Sequence, residues 1–489
     1  MRVIISLAFF LFTLYIFVDV TVIFSVKFIH SFLFLQVVPS LLDFITLFSL
    51  GSSGIFFVLA VTLLFGRVYC SSVCPLGTLS DICIGINART GQNKNFRYRK
   101  PLPWVGYLIL SLTVLLFLFG NVFVLTLLDP FSLAGKFFAD LVWPFVTFEN
   151  FPSWPSMLVS GVLFATIVLL AVFKERWYCA VICPVGTLLG LLSKTSLFRI
   201  WIVAESCTDC GICSKTCKSG CIDVKNRKID FSRCVLCFNC LSSCPEKAME
   251  YGFGIRDSGY GIRDTRSGIG VVGDGINSRR DFLKTTILTA SLLALPKPIF
   301  PKPSEEPQTT NNPYPATPPG SVSYWNYTEK CISCHLCISV CPTQVLQPSL
   351  LEFGLTGILQ PKMDYERGFC DYTCRKCLEI CPTGALLPVS LEQKKRIQIG
   401  TSKLIRNLCI PFTERKPCSL CADHCQTQAI KATPFLGELK IPVISEKRCI
   451  GCGHCENICP TRPTRAIYVE PLLYHRVAMK PKQPLSGTL

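Results

Sequence analysis

Cys207-Thr-Asp-Cys210-Gly-Ile-Cys213-Ser-Lys-Thr-Cys217 and Cys234-Val-Leu-Cys237-Phe-Asn-Cys240-Leu-Ser-Ser-Cys244-Pro245 decide how this 489-residue chain is read. Both have the form C-x-x-C-x-x-C-x-x-x-C, the spacing at which thiolates hold a pair of [4Fe-4S] clusters. Three closely spaced Cys in a tight loop reach three irons of one cubane. The fourth starts the next element and points at the neighbouring cluster. The expected sets are Cys207, Cys210 and Cys213 with Cys244, and Cys234, Cys237 and Cys240 with Cys217. Zinc sites pair two C-x-x-C units instead of repeating a triplet plus C-P. Cys217 lacks the following Pro, and Cys221 reads as a spare thiol.

Four more motifs lie towards the C-terminus. Cys331, Cys334, Cys337 and Cys341 precede Pro342, and Cys370, Cys374, Cys377 and Cys381 precede Pro382, with one extra residue in the first gap. Cys409, Cys418, Cys421 and Cys425 have a long first gap and no Pro; Cys449, Cys452, Cys455 and Cys459 precede Pro460. Six motifs of four use 24 of the 30 Cys and predict six [4Fe-4S] clusters. His335, His424 and His454 fall inside motifs but read as hydrogen-bonding or solvent-facing, since Cys already fills each site.

Upstream the chain is apolar. Hydrophobic residues make up 50% of the whole and charged ones 17%, against about 25% in ordinary soluble proteins. Four stretches, Val3–Phe24, Phe44–Phe65, Val105–Leu128 and Pro155–Phe173, have the roughly 20-residue length of a membrane span. Basic residues follow the second span (Arg67, Arg89, Lys94, Arg97, Arg99, Lys100) and the fourth (Lys174, Arg176, Lys194, Arg199). The loop between the third and fourth carries Asp129, Asp140 and Glu149 against Lys136. The positive-inside rule then places both ends of a four-span unit in the cytoplasm. Trp104 and Trp177 fall at its inner face and Trp143 and Trp154 at its outer face. The formal charge of +17 is attributed largely to these loops and is partly offset by the negative charge of the cluster thiolates. No basic stripe with interleaved aromatics points to nucleic acid.

The second and fourth spans end alike. Arg67-Val-Tyr-Cys70-Ser-Ser-Val-Cys74-Pro75-Leu-Gly77-Thr78 matches Arg176-Trp-Tyr-Cys179-Ala-Val-Ile-Cys183-Pro184-Val-Gly186-Thr187. Cys four apart share one helix face, so Cys70, Cys74, Cys179 and Cys183 form a candidate cofactor-binding set. Such thiols can jointly bind a metal or cluster, or oxidise to a disulfide. His30 alone in this unit cannot supply the paired axial ligands of a haem.

Composition divides the remainder. Residues 1–200 form the helical membrane unit with its two C-x-x-x-C-P motifs, and 201–253 a small α+β ferredoxin-like domain for two clusters. Residues 254–277 read as a flexible linker. Ser278-Arg279-Arg280-Asp281-Phe282-Leu283-Lys284, followed by a short apolar run, gives 278–300 the pattern of a twin-arginine signal retained as a fifth, anchoring crossing. That export route carries folded proteins, which suits a domain whose clusters are inserted in the cytoplasm. Residues 301–320 are a Pro-rich spacer, 321–475 a second α+β domain holding four clusters outside, and 476–489 a tail.

The motif order resembles a fusion of two ferredoxin subunits of periplasmic nitrate reductase systems. Met1 to about Tyr251 is similar to the NapH-type membrane subunit, and Arg279 to about Tyr474 to the NapG-type exported four-cluster subunit. The resemblance implies pairing of the first C-terminal motif with the fourth and the second with the third. Cys331, Cys334 and Cys337 would then join Cys459, and Cys449, Cys452 and Cys455 would join Cys341. Cys370, Cys374 and Cys377 would join Cys425, and Cys409, Cys418 and Cys421 would join Cys381. It also implies an inner-membrane protein that takes electrons from the quinone pool, with quinol as donor, and passes them to a periplasmic reductase or small carrier. An accessory protein that reduces or matures a metalloenzyme, such as a copper enzyme, is the alternative. Electrons must still cross about 30 Å of membrane, either through the C-x-x-x-C-P pairs or with quinone as carrier. Asp19 and Asp129, at outer span ends, read as hydrated interfacial carboxylates or acceptors of quinol protons.

Overall fold

The computed structural model describes residues 2–18, 26–47, 54–89, 96, 98, 102–147, 154–253, 314–436 and 439–479. The linker, the twin-arginine segment, residues 301–313 of the spacer, and Asp19 lie outside the described residues.

The apolar stretches form helices at Arg2–Val18, Gly54–Phe65, Pro103–Leu118 and Trp154–Lys174. Among the described residues, Trp154–Lys174 is long and apolar enough to cross a membrane alone. The helices Val26–Leu33 and Val37–Leu47, bent by 107°, supply a second crossing if they count as one broken span. Among the described residues, then, one or two elements have the length of a crossing, and four uninterrupted spans are not seen. The third expected span shows why: Gly120 turns left-handed (φ +74°) and ends the helix. Asn121 Oδ1 then accepts from the Phe123 amide at 2.8 Å and starts Phe123–Leu128 as a new one. The unit still turns apolar side chains outward, including Ile4, Leu11, Phe57, Leu112 and Val162, which is how a lipid-facing surface is built.

Both repeats share one plan. Gly54–Phe65 leads through the short Tyr69–Ser72 turn into Pro75–Arg89, and Trp154–Lys174 leads through the wider π-turn Tyr178–Ile182 into Pro184–Ser193. The two Cys of each motif do not share the face of one continuous helix. Pro75 and Pro184 stand at the first position of a new helix, where a missing N–H costs least, so the second Cys falls at the break. Cys183 is the N-cap, accepting from the Gly186 amide at 3.3 Å.

Residues 198–253 form the first ferredoxin-type unit. Phe198–Ile202 pairs antiparallel with Met249–Phe253, Ile222–Asp223 pairs with Lys228–Ile229, and two short helices, Ile212–Thr216 and Asn239–Ser243, lie against each other. The C-terminal unit repeats the idea on a larger scale, with ribbons Leu346–Pro348/Pro361–Met363, Ile397–Leu404/Ile467–Val477 and Ile430–Leu436/Leu439–Ile444. Its packed part begins earlier than composition suggests. Tyr314 lies against Tyr324, and Ala316 accepts from the Met363 amide at 3.0 Å, so residues 314–320 belong to the domain.

The two units cap opposite ends of the helical unit. At one end Leu197 donates to Leu63 O at 3.0 Å, and Asp81 holds both Arg2 (3.6 Å) and Lys218 (3.3 Å). At the other, Phe17 packs on Phe131, and the Cys334 carbonyl rests on Gly135, where a Cβ would lie 2.2 Å from that oxygen. The 17-residue helix Arg2–Val18 joins these ends and measures about 25 Å.

Contact with the C-terminal unit corrects three readings. Asp129, Lys136 and Asp140 are not hydrated loop charges, being 1%, 1% and 0% exposed. Asp129 caps a helix by accepting from the Ser132 amide (2.8 Å) and hydroxyl (2.9 Å), and Lys136 donates to Thr126 O at 2.5 Å. Trp143 is buried instead of sitting in an interfacial belt, whereas Trp104 and Trp154 are exposed.

Candidate functional site

The regular loops are shaped before any metal enters. In four of the six motifs, the second residue after the first Cys (Asp209, Leu236, Ser333, Gly451) has positive φ. So does the residue after the second Cys (Gly211, Phe238, His335, Gly453). Left-handed positions in such a loop turn backbone N–H groups towards a common centre, the arrangement that receives an anionic cluster. Five of these eight residues carry side chains, so the conformation is held against its local preference, as at functional sites.

Cys207, Cys210, Cys213 and Cys244 line one cavity, and Cys217, Cys234, Cys237 and Cys240 line another, the crossed assignment expected from the spacing. Cys221 is not spare. It lines the second cavity with its sulfur 3.4 Å from that of Cys217, and the Cys221 thiol holds Cys217 below the usual thiol range.

The C-terminal pairing differs from the one the resemblance implies. Cys331, Cys334 and Cys337 each lie within electrostatic reach of Cys381, and Cys370, Cys374 and Cys377 within reach of Cys341. Cys409, Cys418, Cys421 and Cys459 line a shared cavity, and Cys455 of the last triplet faces Cys449 and Cys425. The first motif therefore pairs with the second, and the third with the fourth. The helices that follow the triplets set this: Leu336–Ser339 packs on Lys376–Ile380, and Leu420–Asp423 on His454–Ile458.

A recurring threonine escaped the sequence reading. Thr343, Thr383, Thr427 and Thr461 each stand two residues after a fourth Cys, with the hydroxyl 3.7, 3.7, 3.8 and 3.2 Å from its sulfur. The C-x-T spacing was visible in all four motifs. Ser402 adds its hydroxyl to Cys449 (3.4 Å) and Cys455 (3.2 Å). Of the motif histidines, His335 is buried and hydrogen-bonded, His424 bonds to Leu420 O at 3.1 Å, and His454 stacks on Phe369 at 3.8 Å.

These sites fit clusters on two grounds. Burial, with neighbouring thiols adding to it, pushes Cys409 up to about 11 and Cys421 and Cys455 up to about 12. A bound metal is what lets such crowded thiols exist as thiolates. Second, the thiols come in sets of four around a cavity, Cys207, Cys210, Cys213 and Cys244 around one and Cys409, Cys418, Cys421 and Cys459 around another.

The fourth constellation lies within the helical unit. Cys70, Cys74, Cys179 and Cys183 are all buried, and Cys183 lies within electrostatic reach of the other three. The repeats clasp one another across the site. Arg67 donates to Cys179 O at 2.8 Å, and Arg176 donates to Cys70 O at 2.9 Å. Gly77 and Gly186 make that approach possible, because a Cβ there would stand 2.3 and 2.1 Å from the same two carbonyl oxygens. Tyr69 and Tyr178 close the far side, bonding to Gln36 Oε1 (2.9 Å) and Leu128 O (2.8 Å).

Residues 48–89 and 156–203 match a family model described as a 4Fe-4S binding domain, and 330–385 and 416–462 match a 4Fe-4S dicluster domain. The first dicluster segment contains the first motif pair found above, and the second contains the other pair except Cys409. The chain is 30% identical over 196 residues to the putative electron transport protein YccM of Escherichia coli, covering 38% of this chain and 51% of that one. It is 29% identical over 202 residues to the methylamine utilization ferredoxin-type protein MauN of Methylobacillus flagellatus (39% and 65%). It is also 29% identical over 190 residues to protein NirI of Paracoccus denitrificans (37% and 25%). The chain thus spans about half the length of YccM and a quarter that of NirI. No solved structure matches. With its motifs, these matches make the chain an iron–sulfur protein with ferredoxin-type domains, similar to membrane-type electron-transfer proteins.

Proposed function

We propose that the protein is a membrane-bound electron conduit that takes electrons from quinol and delivers them to a periplasmic reductase of the nitrate reductase kind, or to a small carrier. The observation that carries this reading is the placement of two ferredoxin-type units at opposite ends of one apolar helical unit. One continuous core runs from Val235 and Cys237 at the first end through Cys70, Cys74, Cys179 and Cys183 to Ile332 and Cys334 at the other. Six bound [4Fe-4S] clusters would supply one-electron couples that pass charge with little rearrangement. The protein's own residues hold the thiolates in fixed loops, exclude water, and set the electrostatics through threonine, serine and Cys221 groups beside the sulfurs.

In this reading the helical unit lies in the inner membrane, with the first unit in the cytoplasm and the C-terminal unit, exported by the twin-arginine route, outside. The relatives' printed roles in electron transport and methylamine utilization agree with a redox partner that varies between systems. Purified protein in quinol-containing liposomes should sustain many turnovers of an acceptor on the C-terminal side. Reduction that stops after one equivalent would instead favour the accessory, metalloenzyme-maturing role.

A further inference from the structure

We propose that Cys221 is an interchangeable fourth ligand of the site built on Cys234, Cys237 and Cys240, so that this centre is closed either by Cys217 or by Cys221. This rests on the reading that the site holds a [4Fe-4S] cluster.

The sulfurs around the cavities differ in number. Cys207, Cys210, Cys213 and Cys244 line the neighbouring cavity, and Cys409, Cys418, Cys421 and Cys459 line one in the C-terminal unit, four in each case. The cavity of Cys234, Cys237 and Cys240 is lined by both Cys217 and Cys221, five thiols where a cubane takes four. Cys221 is 2% exposed, and its sulfur stands 3.4 Å from that of Cys217. It is also within hydrogen-bond reach of Cys234. A thiol placed between the fourth ligand and a member of the triplet faces the space that both of them face.

The two thiols are held by different parts of the molecule. Cys217 ends the helix Ile212–Thr216, and the residue after it is tied to the helical unit. Lys218 O accepts from the Arg176 amide at 3.4 Å, and Lys218 Nζ meets Asp81 at 3.3 Å. Cys221 leads into the first unit's own ribbon: its carbonyl accepts from the Asp230 amide at 2.9 Å, and Ile222–Asp223 pairs with Lys228–Ile229. The link Lys218-Ser219-Gly220 turns left-handed at Gly220 (φ +55°). Four of the six motifs follow the fourth Cys with Pro, which restricts the residue before it to extended backbone. Lys218 stands in that place here and leaves Cys217 without the restraint. Movement of the first unit against the helical unit therefore pulls on Cys217 and spares Cys221.

The exchange balances within the site. The iron–sulfur bond to Cys217 breaks and one to Cys221 forms, while the proton of the Cys221 thiol passes to the Cys217 sulfur across the 3.4 Å between them. Cys217 is left as the neutral thiol. Four thiolates remain on the cluster, its oxidation state is unchanged, and no outside reactant is consumed.

Iron and acid-labile sulfide on anaerobically purified full-length protein, with EPR of the reduced state, test this. Cys237→Ala with Cys240→Ala leaves three thiols at the cavity and should remove one [4Fe-4S] signal and about 4 irons per chain. Cys217→Ala should keep those irons with a shifted signal, because Cys221 closes the site. Cys217→Ala with Cys221→Ala should lose the signal. Its loss in Cys217→Ala alone overturns the proposal and leaves the cluster reading intact. Retention in the Cys217 and Cys221 double variant does the same, since neither thiol is then the required ligand. Unchanged iron and spectra in Cys237→Ala with Cys240→Ala overturn the cluster reading, and the proposal with it. If Cys217→Ala loses iron from several centres and so has failed to fold, Cys217→Ser keeps the side chain's shape and is read in the same way, against Cys217→Ser with Cys221→Ala.

Discussion

Replacing Asp140 by alanine should detach the C-terminal unit from the helical unit. The carboxylate meets His335 Nδ1 at 2.7 Å, and His335 Nε2 meets Leu359 O at 2.7 Å. Leu359 O can only accept, so Nε2 donates to it, and both members of the His335–Asp140 pair are 0% exposed. Asp140 also accepts from Ser160 at 2.6 Å. Removing one member of this buried hydrogen-bonded pair costs about 1–3 kcal/mol, because the other is left buried without its partner. The orphaned Ser160 hydroxyl adds about 1 kcal/mol. The rest of the interface is His30 Nε2 to Glu379 O at 2.6 Å, Thr46 to Thr383 O at 3.5 Å, the packing over Gly135, and the apolar contacts of Ile332, Leu336, Val340 and Ile380 in the shared core. Together these come to about 2–4 kcal/mol, and at about 1.4 kcal/mol per decade the docked population should fall by roughly one and a half to three powers of ten. Hydrogen exchange by mass spectrometry on the detergent-solubilised protein reads this out, since Leu336 to Val340 and the Pro130–Lys136 helix are buried against each other's units. Asp140→Asn, which keeps an acceptor but not the charge, should lose roughly half as much. Protection in those two segments unchanged to within about 0.5 kcal/mol in Asp140→Ala would refute the claim that this pair anchors the interface.

Other outcomes follow from single contacts. His475 is held down to about 4 by burial, with Nδ1 shielded and unpartnered and Nε2 against Thr317 Oγ1 at 3.0 Å. The unfolded chain binds this proton first, so the contribution is fully present above about pH 6.5 and is lost as pH falls towards 4. It amounts to at most roughly 3 kcal/mol, and His475→Gln should flatten acid unfolding of the C-terminal unit over that window. Gly186→Ala drives a Cβ to 2.1 Å from Cys179 O, so it should cost about 1–3 kcal/mol in thermal unfolding. Gly161→Ala, with open space around its Cβ, should be neutral. Cys221→Ala removes the thiol 3.4 Å from Cys217. Iron content should be retained while the potential of that one cluster falls, because a hydrogen bond to a ligand sulfur favours the more negative, reduced state. Potentiometric EPR showing no change would mean that the thiol does not donate.

What could be read from sequence was what local spacing dictates. Three thiols within seven residues can reach one cubane only from a tight loop, so Cys207, Cys210, Cys213 and Cys244 were assignable without a structure. The partner of a fourth Cys depends on which neighbouring triplet packs beside it, and in a four-motif chain the spacing permits more than one answer. The membrane motif misled for a different reason. Cys70 and Cys74 are four apart, but Pro75 starts a new helix immediately afterwards, and the helical period does not carry across a break. The acidic residues between the last two expected spans looked like loop charges because the surface that buries them, around Cys331 to Leu359, lies about 200 residues away in sequence.

That buried charge also bears on direction. Lys136 sits at the interface with its charge felt by Cys331 and Cys334, so the first centre of the C-terminal unit has a cation beside it on its membrane side. A nearby cation favours the reduced form of an anionic cluster, which draws electrons out of the helical unit. At the opposite end, the cation beside Cys237 is Arg176, which Asp81 pairs along with Arg2 and Lys218. Lys136→Met should therefore lower the potential of the Cys331, Cys334, Cys337 and Cys381 centre and slow transfer into the C-terminal unit, with the first unit's potentials unchanged. Equal shifts at both ends would show that the charge acts on the fold as a whole, and the asymmetry argued here would fail.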